Sequence, residues 1–190
     1  VSNEITVENT IIQNMVLDFS YSNERLVVHS FDFNDSISST PIILNGYVDF
    51  SEKDAFYEFF LNTVNLSLES SLFGPLPLTR NIEGKISGNL KIESNSEDAT
   101  VFNITGNLAA NSLKMDDFSL SSPLIINILS TANLSDKTIS FNNAEITYQE
   151  NQVYMQGMIS YDDAVQFDLN FEGYITELDE IFEDFPVDAK

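Results

Sequence analysis

Three stretches of this chain, beginning at Gly46, Gly88 and Gly157, repeat one pattern of residues. In each, the glycine precedes a short run of alternating apolar and polar residues, and a polar turn and a second alternating run follow. Alternation with a period of two indicates β-strands with one apolar and one polar face. A recurring strand–turn–strand unit predicts an extended β architecture in which each unit contacts mainly its neighbours.

The alternation is clearest in the middle of the chain. Residues 86–92 and 102–108 place an apolar residue or glycine at every second position. In the first third, residues 15–21 and 42–50 alternate in the same way. Residues 26–33 form another strand candidate. Simple alternation places Val27, His29, Phe31 and Phe33 on the same side of this strand.

Three segments are less regular. Residues 55–61 either begin a long strand that runs to residue 68 or form one or two helical turns, because the apolar period fits both. Residues 72–79, with one glycine and two prolines, interrupt the strand pattern and predict an internal border near 72–80. Residues 175–185 carry apolar residues at helical spacing, which predicts a short amphipathic helix that ends before Pro186.

Together these patterns predict an all-β fold with at most one or two short helices. The strands, about ten to twelve of them, are expected to form an antiparallel meander of repeated strand–turn–strand units, as a curved, groove-like sheet. Residues 1–190 are interpreted as a single β-repeat domain and as a fragment of a larger protein, since the chain starts at Val1 without a Met.

The charge of the chain excludes one class of partner. It has 30 acidic and 8 basic residues, for a net charge of −22. Nucleic-acid binding requires Lys and Arg for phosphate contacts, so no nucleic-acid partner is predicted. The carboxylates are interpreted as a solvated surface that keeps an apolar-rich β protein soluble.

Few residues could carry catalysis. The chain has no cysteine, and His29 is its one histidine, which argues against a zinc site or a catalytic triad. The acidic pairs at 116–117 and 162–163 are expected at turns, with a loose Ca²⁺ site left open. We therefore predict no enzyme activity and no cofactor. A carbohydrate-active β domain is a weaker alternative, because the chain has no Trp.

The glycine-led unit resembles the repeats of the AsmA-like family of bacterial periplasmic proteins, which includes TamB-like and YhdP-like members. Residues 157–182 carry the best match and residues 88–113 the second. The resemblance covers about residues 26–185 and rests on glycines and alternating apolar residues.

That resemblance implies a long sheet rolled into a trough with an apolar lining, along which phospholipid or another acyl-chain lipid moves between inner and outer membranes. It implies a periplasmic location in a membrane-anchored parent protein. The implied partners are flanking repeats of the same protein and proteins of the inner and outer membranes. The implied role is lipid transport in outer-membrane biogenesis.

Candidate groove residues are those at the apolar positions of the later strands. Alternation alone fits a sealed core and a lipid-facing groove wall equally well, so both interpretations stay open. An extracellular β-repeat module for adhesion or cell-surface structure is the alternative function. The groove candidates are Ile86, Leu90, Ile92, Phe102, Ile104, Leu108, Ile146, Val153, Met155, Ile159, Val165, Phe167, Leu169 and Phe171.

Overall fold

The computed structural model describes residues 4–7, 10–35, 41–51, 55–69, 82–94, 98, 100–115, 118–161 and 165–174. These residues form one sheet of twelve strands, and none of them lies in a helix. The all-β prediction is confirmed. The strands are β1 (Glu4–Val7), β2 (Thr10–Ser22), β3 (Arg25–Asp35), β4 (Ile42–Asp49), β5 (Phe56–Ser67), β6 (Ile82–Ser94), β7 (Val101–Met115), β8 (Phe118–Ser119), β9 (Leu124–Asn133), β10 (Thr138–Tyr148), β11 (Asn151–Tyr161) and β12 (Val165–Tyr174).

The strands follow one another across the sheet in chain order, and every pair is antiparallel. The one departure is β8, which pairs only with the end of β7, so that β7 and β9 are neighbours. β1 and β12 lie at opposite edges, and the sheet is not closed. This confirms the predicted antiparallel meander, a curved, groove-like sheet.

The two sides of the sheet differ in chemistry. Directly opposed residues of antiparallel strands share a face, so the register assigns each strand residue to one side. We call the side that carries Leu90 the apolar face and the side that carries Lys91 the polar face. Strand twist and bulges aside, this division holds from β2 to β12.

Of the three predictions for irregular segments, the structure decides one. The segment 56–67 is β5, so the helical alternative for residues 55–61 is wrong. Its strand form follows from pairing on both sides, with β4 and with β6. The predicted border near 72–80 and the predicted helix at 175–185 lie outside the described residues.

The repeated glycines lie inside strands and do not precede them, which corrects the sequence expectation. At Gly46 the backbone φ is 152°, and an added Cβ would lie 2.1 Å from the carbonyl oxygen of Glu58 on the next strand. At Gly88, φ is 156° and the same contact, to the carbonyl of Asn107, is also 2.1 Å. An L-residue is strained at such a φ, and here its side chain would overlap backbone.

A β-bulge accompanies each of the repeated glycines. On the preceding strand, the residue opposite the glycine is the last one before the register shifts. The pairs are Val28–Gly46, Thr63–Gly88 and Phe141–Gly157. Bulges and glycine kinks bend a sheet locally. The sequence repeat therefore corresponds to a repeated bend, made by a bulged strand and the glycine strand that follows it.

The bulge in β3 also changes the face assignment of that strand. Simple alternation predicts Val27 and His29 on the same side as Phe31. The register shift after Val28 moves Phe31 onto the side of Val28, while Val27 opposes Tyr47 on the polar face. The prediction for Val27 and His29 is thus wrong, because the extra residues of a bulge interrupt the period of two.

We expect Gly46→Ala to lower the free energy of unfolding by more than about 3 kcal/mol, because it combines backbone strain with overlap of neighbouring backbone. Gly84→Ala is the matched control: φ there is 146°, but an added Cβ meets nothing closer than 3.2 Å. It should cost only the strain, about 1–3 kcal/mol. Urea unfolding followed by circular dichroism measures both. Wild-type stability of Gly46→Ala would contradict the observed backbone conformation.

Candidate functional site

One row of directly opposed residues crosses ten strands of the apolar face without a polar side chain. Each of the strands β2–β7 and β9–β12 contributes one residue. The row reads Leu17, Phe31, Leu44, Leu61, Leu90, Gly106, Ile128, Ala144, Met155 and Phe171. We call this the central row. It makes a continuous apolar stripe that runs across the strands.

A second row lies beside the central row, two residues away along each strand or across a bulge. Its single polar side chain is Ser130, which is only 2% exposed. This neighbouring row reads Phe19, Val28, Gly46, Phe59, Ile92, Ile104, Ser130, Phe141, Gly157 and Leu169. The two rows together widen the stripe, and neither contains a charged residue.

The structure places every sequence candidate on this apolar face. Those in β6, β7, β10 and β11, together with Leu169, are half-buried, whereas Val165, Phe167 and Phe171 in the edge strand β12 are exposed. The half-buried set is Ile86, Leu90, Ile92, Phe102, Ile104, Leu108, Ile146, Val153, Met155, Ile159 and Leu169.

The described residues do not seal the apolar face. All described strands belong to a single sheet, so these residues provide no second layer. The largest fully buried side chain among them is that of Ser130. A closed sandwich core buries Leu, Ile and Phe completely. In the part of the chain that the structure describes, the apolar face therefore has no second sheet over it.

The candidate list from the sequence is incomplete at its N-terminal end. β2–β5 supply four of the ten residues of the central row, Leu17, Phe31, Leu44 and Leu61, and none of them is in that list. Period-two alternation at residues 15–21 and 42–50 was the available signal. The bulges in β2, β3 and β5 determine how the apolar residues of β2–β5 line up with those of the later strands. Alternation in the sequence does not reveal these bulges.

The polar groups on the apolar face are neutral. The backbone N–H of Tyr57 donates to Ser94 Oγ at 2.8 Å, and burial raises the pKa of the Tyr57 hydroxyl. Thr63 is buried opposite Gly88, and its Oγ1 has no hydrogen-bond partner among the described residues. An unpaired buried hydroxyl lowers stability. These three groups add no charge to the apolar face.

The polar face carries a ladder of asparagines. Asn62, Asn89, Asn107 and Asn127 stand opposite one another on four successive strands. Asn107 Nδ2 donates to Asn127 Oδ1 at 2.6 Å, and Asn127 Nδ2 donates to Glu145 Oε2 at 3.2 Å. Cross-strand pairs of this kind stabilise a sheet, so this part of the polar face has a structural role.

The nearby charges on the polar face are also paired with each other. Lys91 Nζ lies 2.7 Å from Glu58 Oε2 and 3.0 Å from Glu93 Oε2. The hydrogen bond to Glu58, followed by that to Glu93, raises the pKa of the Lys91 ammonium. The cluster joins β5 to β6 and points to no ligand.

The structure gives little support for catalytic or metal chemistry in its described part. No group of three His, Cys, Asp or Glu side chains there could hold a metal ion. His29 Nε2 lies 2.9 Å from Ser20 Oγ, without a carboxylate completing a relay. The acidic pairs 116–117 and 162–163 lie outside the described residues, so the Ca²⁺ prediction stays a prediction. No described helix is long and apolar enough to cross a membrane.

Comparison with protein-family models, with curated proteins and with solved structures gives no match to this chain. The likeness to AsmA-like repeats thus stays a prediction from the residues at 157–182 and 88–113.

Proposed function

We propose that this chain is non-enzymatic and binds acyl-chain lipid, such as phospholipid, along the apolar face. One observation carries the proposal: ten strands in succession each contribute an apolar residue or glycine to the central row, and the described strands provide no second sheet over that row. A face of this kind in water requires an apolar occupant.

The dimensions suit a lipid tail. Ten strands span nine spacings of about 4.8 Å, or about 43 Å measured over the sheet. The hydrocarbon of one membrane leaflet is about 15 Å thick, half of the bilayer core. The central row could therefore hold more than one acyl chain end to end. Each CH₂ group removed from water contributes about 0.8 kcal/mol to binding.

Because the two rows are uniformly apolar, we expect a bound lipid tail to move along them and not to stay at one fixed position. Apolar contact is non-directional, and no charged side chain interrupts either row, so a tail meets similar surroundings at each strand. The acidic polar face would keep the opposite side hydrated. We place this role where the AsmA-like resemblance implies, in the bacterial periplasm between inner and outer membranes. It would act within a membrane-anchored parent protein with flanking repeats and membrane-protein partners.

The alternative of an adhesion module has no specific observation in its favour. The extracellular β-repeat module for adhesion or cell-surface structure stays a prediction from the sequence.

Adjacent phenylalanines on opposite faces provide a direct test. Phe59 belongs to the neighbouring row, whereas Phe60 opposes Asn45 and Lys91 on the polar face and is 40% exposed. We expect benzoylphenylalanine at position 59 to crosslink to phosphatidylethanolamine on irradiation, and the same probe at position 60 to remain unlinked. Mass spectrometry of the irradiated protein identifies the adduct.

Native mass spectrometry of the unirradiated protein provides the supporting measurement, with co-purified lipid expected. Equal crosslinking at positions 59 and 60 would show non-specific association. Absence of crosslinking at position 59, with the protein folded, would contradict lipid binding on the apolar face.

The net charge predicts a headgroup preference. At low salt, a zwitterionic phosphatidylethanolamine should bind more tightly than a phosphatidylglycerol with the same tails, because a chain of net charge −22 repels anionic headgroups. The difference should shrink as salt is raised, since the screening length falls to about 3 Å at 1 M. Competition for a fluorescent fatty acid measures both affinities. Tighter binding of the anionic lipid at low salt would contradict this expectation.

A further inference from the structure

A shallow depression lies at the β11–β12 edge, and four of its five lining residues stand on the polar face. It has a volume of about 350 Å³ and is lined by Tyr154, Gln156 and the stretch 170–172. Tyr154 stands directly opposite Glu172, and Gln156 stands opposite Asn170. Four of the lining side chains thus stand on the polar face, two from each strand, and the fifth lining residue, Phe171, belongs to the central row.

Tyr154 lines the depression, and a second tyrosine, Tyr174, stands beside it on the same face. Tyr154 is 37% exposed, and Tyr174, which opposes Gln152, is 79% exposed. They are diagonal neighbours on the same face, about 7–8 Å apart between Cα atoms in an antiparallel pair. Tyr154 Oη donates to Gln152 Oε1 at 3.5 Å. Exposed tyrosines combine an apolar ring with a polar tip, as at binding surfaces.

The polar groups of the depression differ from those of the asparagine ladder. In the ladder, Asn107 and Asn127 bond to each other. In the depression, the side chains of Gln156, Asn170 and Glu172 form no hydrogen bond with any described residue. Two amides offer donors and acceptors, and one carboxylate offers acceptors. These groups are available to a ligand.

The charge of the two strands narrows the ligand class. Neither β11 nor β12 contains Lys or Arg, whereas β12 contains Asp168 and Glu172. An anionic ligand would be repelled. A purely apolar ligand would leave the amides of Gln156 and Asn170 unpaired. The ligand should therefore carry no negative charge and should offer hydrogen-bonding groups to the two amides. A neutral oligosaccharide meets both conditions, because its rings have apolar faces and many uncharged hydroxyls.

We propose that this depression is a non-catalytic binding site for a neutral oligosaccharide. Tyr154 and Tyr174 stack against successive pyranose rings through their C–H faces. Gln156 and Asn170 exchange hydrogen bonds with the ring hydroxyls, and the Glu172 carboxylate accepts from a hydroxyl. The side chains that contact the sugar stand on the polar face, opposite the side chains of the lipid-binding rows.

The test is an NMR titration of the ¹⁵N-labelled full chain with three hexaoses, of β-1,4-linked glucose, of β-1,4-linked N-acetylglucosamine and of α-1,4-linked glucose. At least one hexaose should shift the amide signals of residues 154–156 and 170–172. Tyr154→Ala and Tyr174→Ala should each weaken its binding about tenfold, since each removes one stacking surface. Tyr154→Phe, which keeps the ring, should bind almost normally.

Tyr21→Ala is the matched control, because Tyr21 is an exposed strand tyrosine in β2, at the other end of the sheet. It should leave sugar binding unchanged, and the Tyr154 and Tyr174 variants should leave lipid crosslinking at position 59 unchanged. Absence of binding by all three hexaoses overturns the proposal, as does binding that survives Tyr154→Ala. Concentration-dependent shifts of β12 without sugar would instead assign this edge to a second copy of the chain, and would also overturn it.

Discussion

The backbone hydrogen-bond ladder is the interaction on which the rest of this structure depends. With a single described sheet, each strand is held by the strands on either side, and no opposing layer adds a shared core. Stability is then a sum of neighbour terms: ladder hydrogen bonds, cross-strand apolar pairs such as Leu61–Leu90, and polar pairs such as Asn107–Asn127. The same arrangement leaves one whole face available. A β-sandwich buries the apolar face of each sheet against the other sheet, whereas this sheet can bind a ligand with its apolar face.

The bulge–glycine pairs explain how such a sheet bends without losing its register. Each bulge shifts a strand by an extra residue, and the glycine opposite allows the next backbone to approach closely at that point. Val28–Gly46 and Phe141–Gly157 lie in the same row, in strands far apart in the sequence. The segments around Gly46 and Gly157 have similar sequences. That similarity therefore reflects the same local bend of the sheet at both places.

Sequence reasoning succeeded where one rule governs a segment. In β6 and β7, uninterrupted alternation identified the strands, their apolar face and six of the fourteen groove candidates. It failed where a bulge interrupts the alternation. In β3 the period of two restarts after the bulge, so Val27 and His29 were assigned to the wrong side. Segment 55–61 fitted a helix by period, and only pairing with β4 and β6 makes it a strand. The polar depression of Tyr154 and Asn170 depends on strand register, which no local pattern contains.

The order of the strands has a mechanical consequence. Because β1 and β12 occupy opposite edges, tension applied between them runs across the strands, along the direction of the ladder hydrogen bonds. Bonds loaded in this direction open one strand pair at a time, in the manner of a zipper, whereas strands sheared lengthwise resist with all their bonds together. Each released strand lengthens the chain before the next pair carries load. A segment stretched between two anchored points would therefore yield gradually at low force, and the remaining strands would keep their groove while it does so.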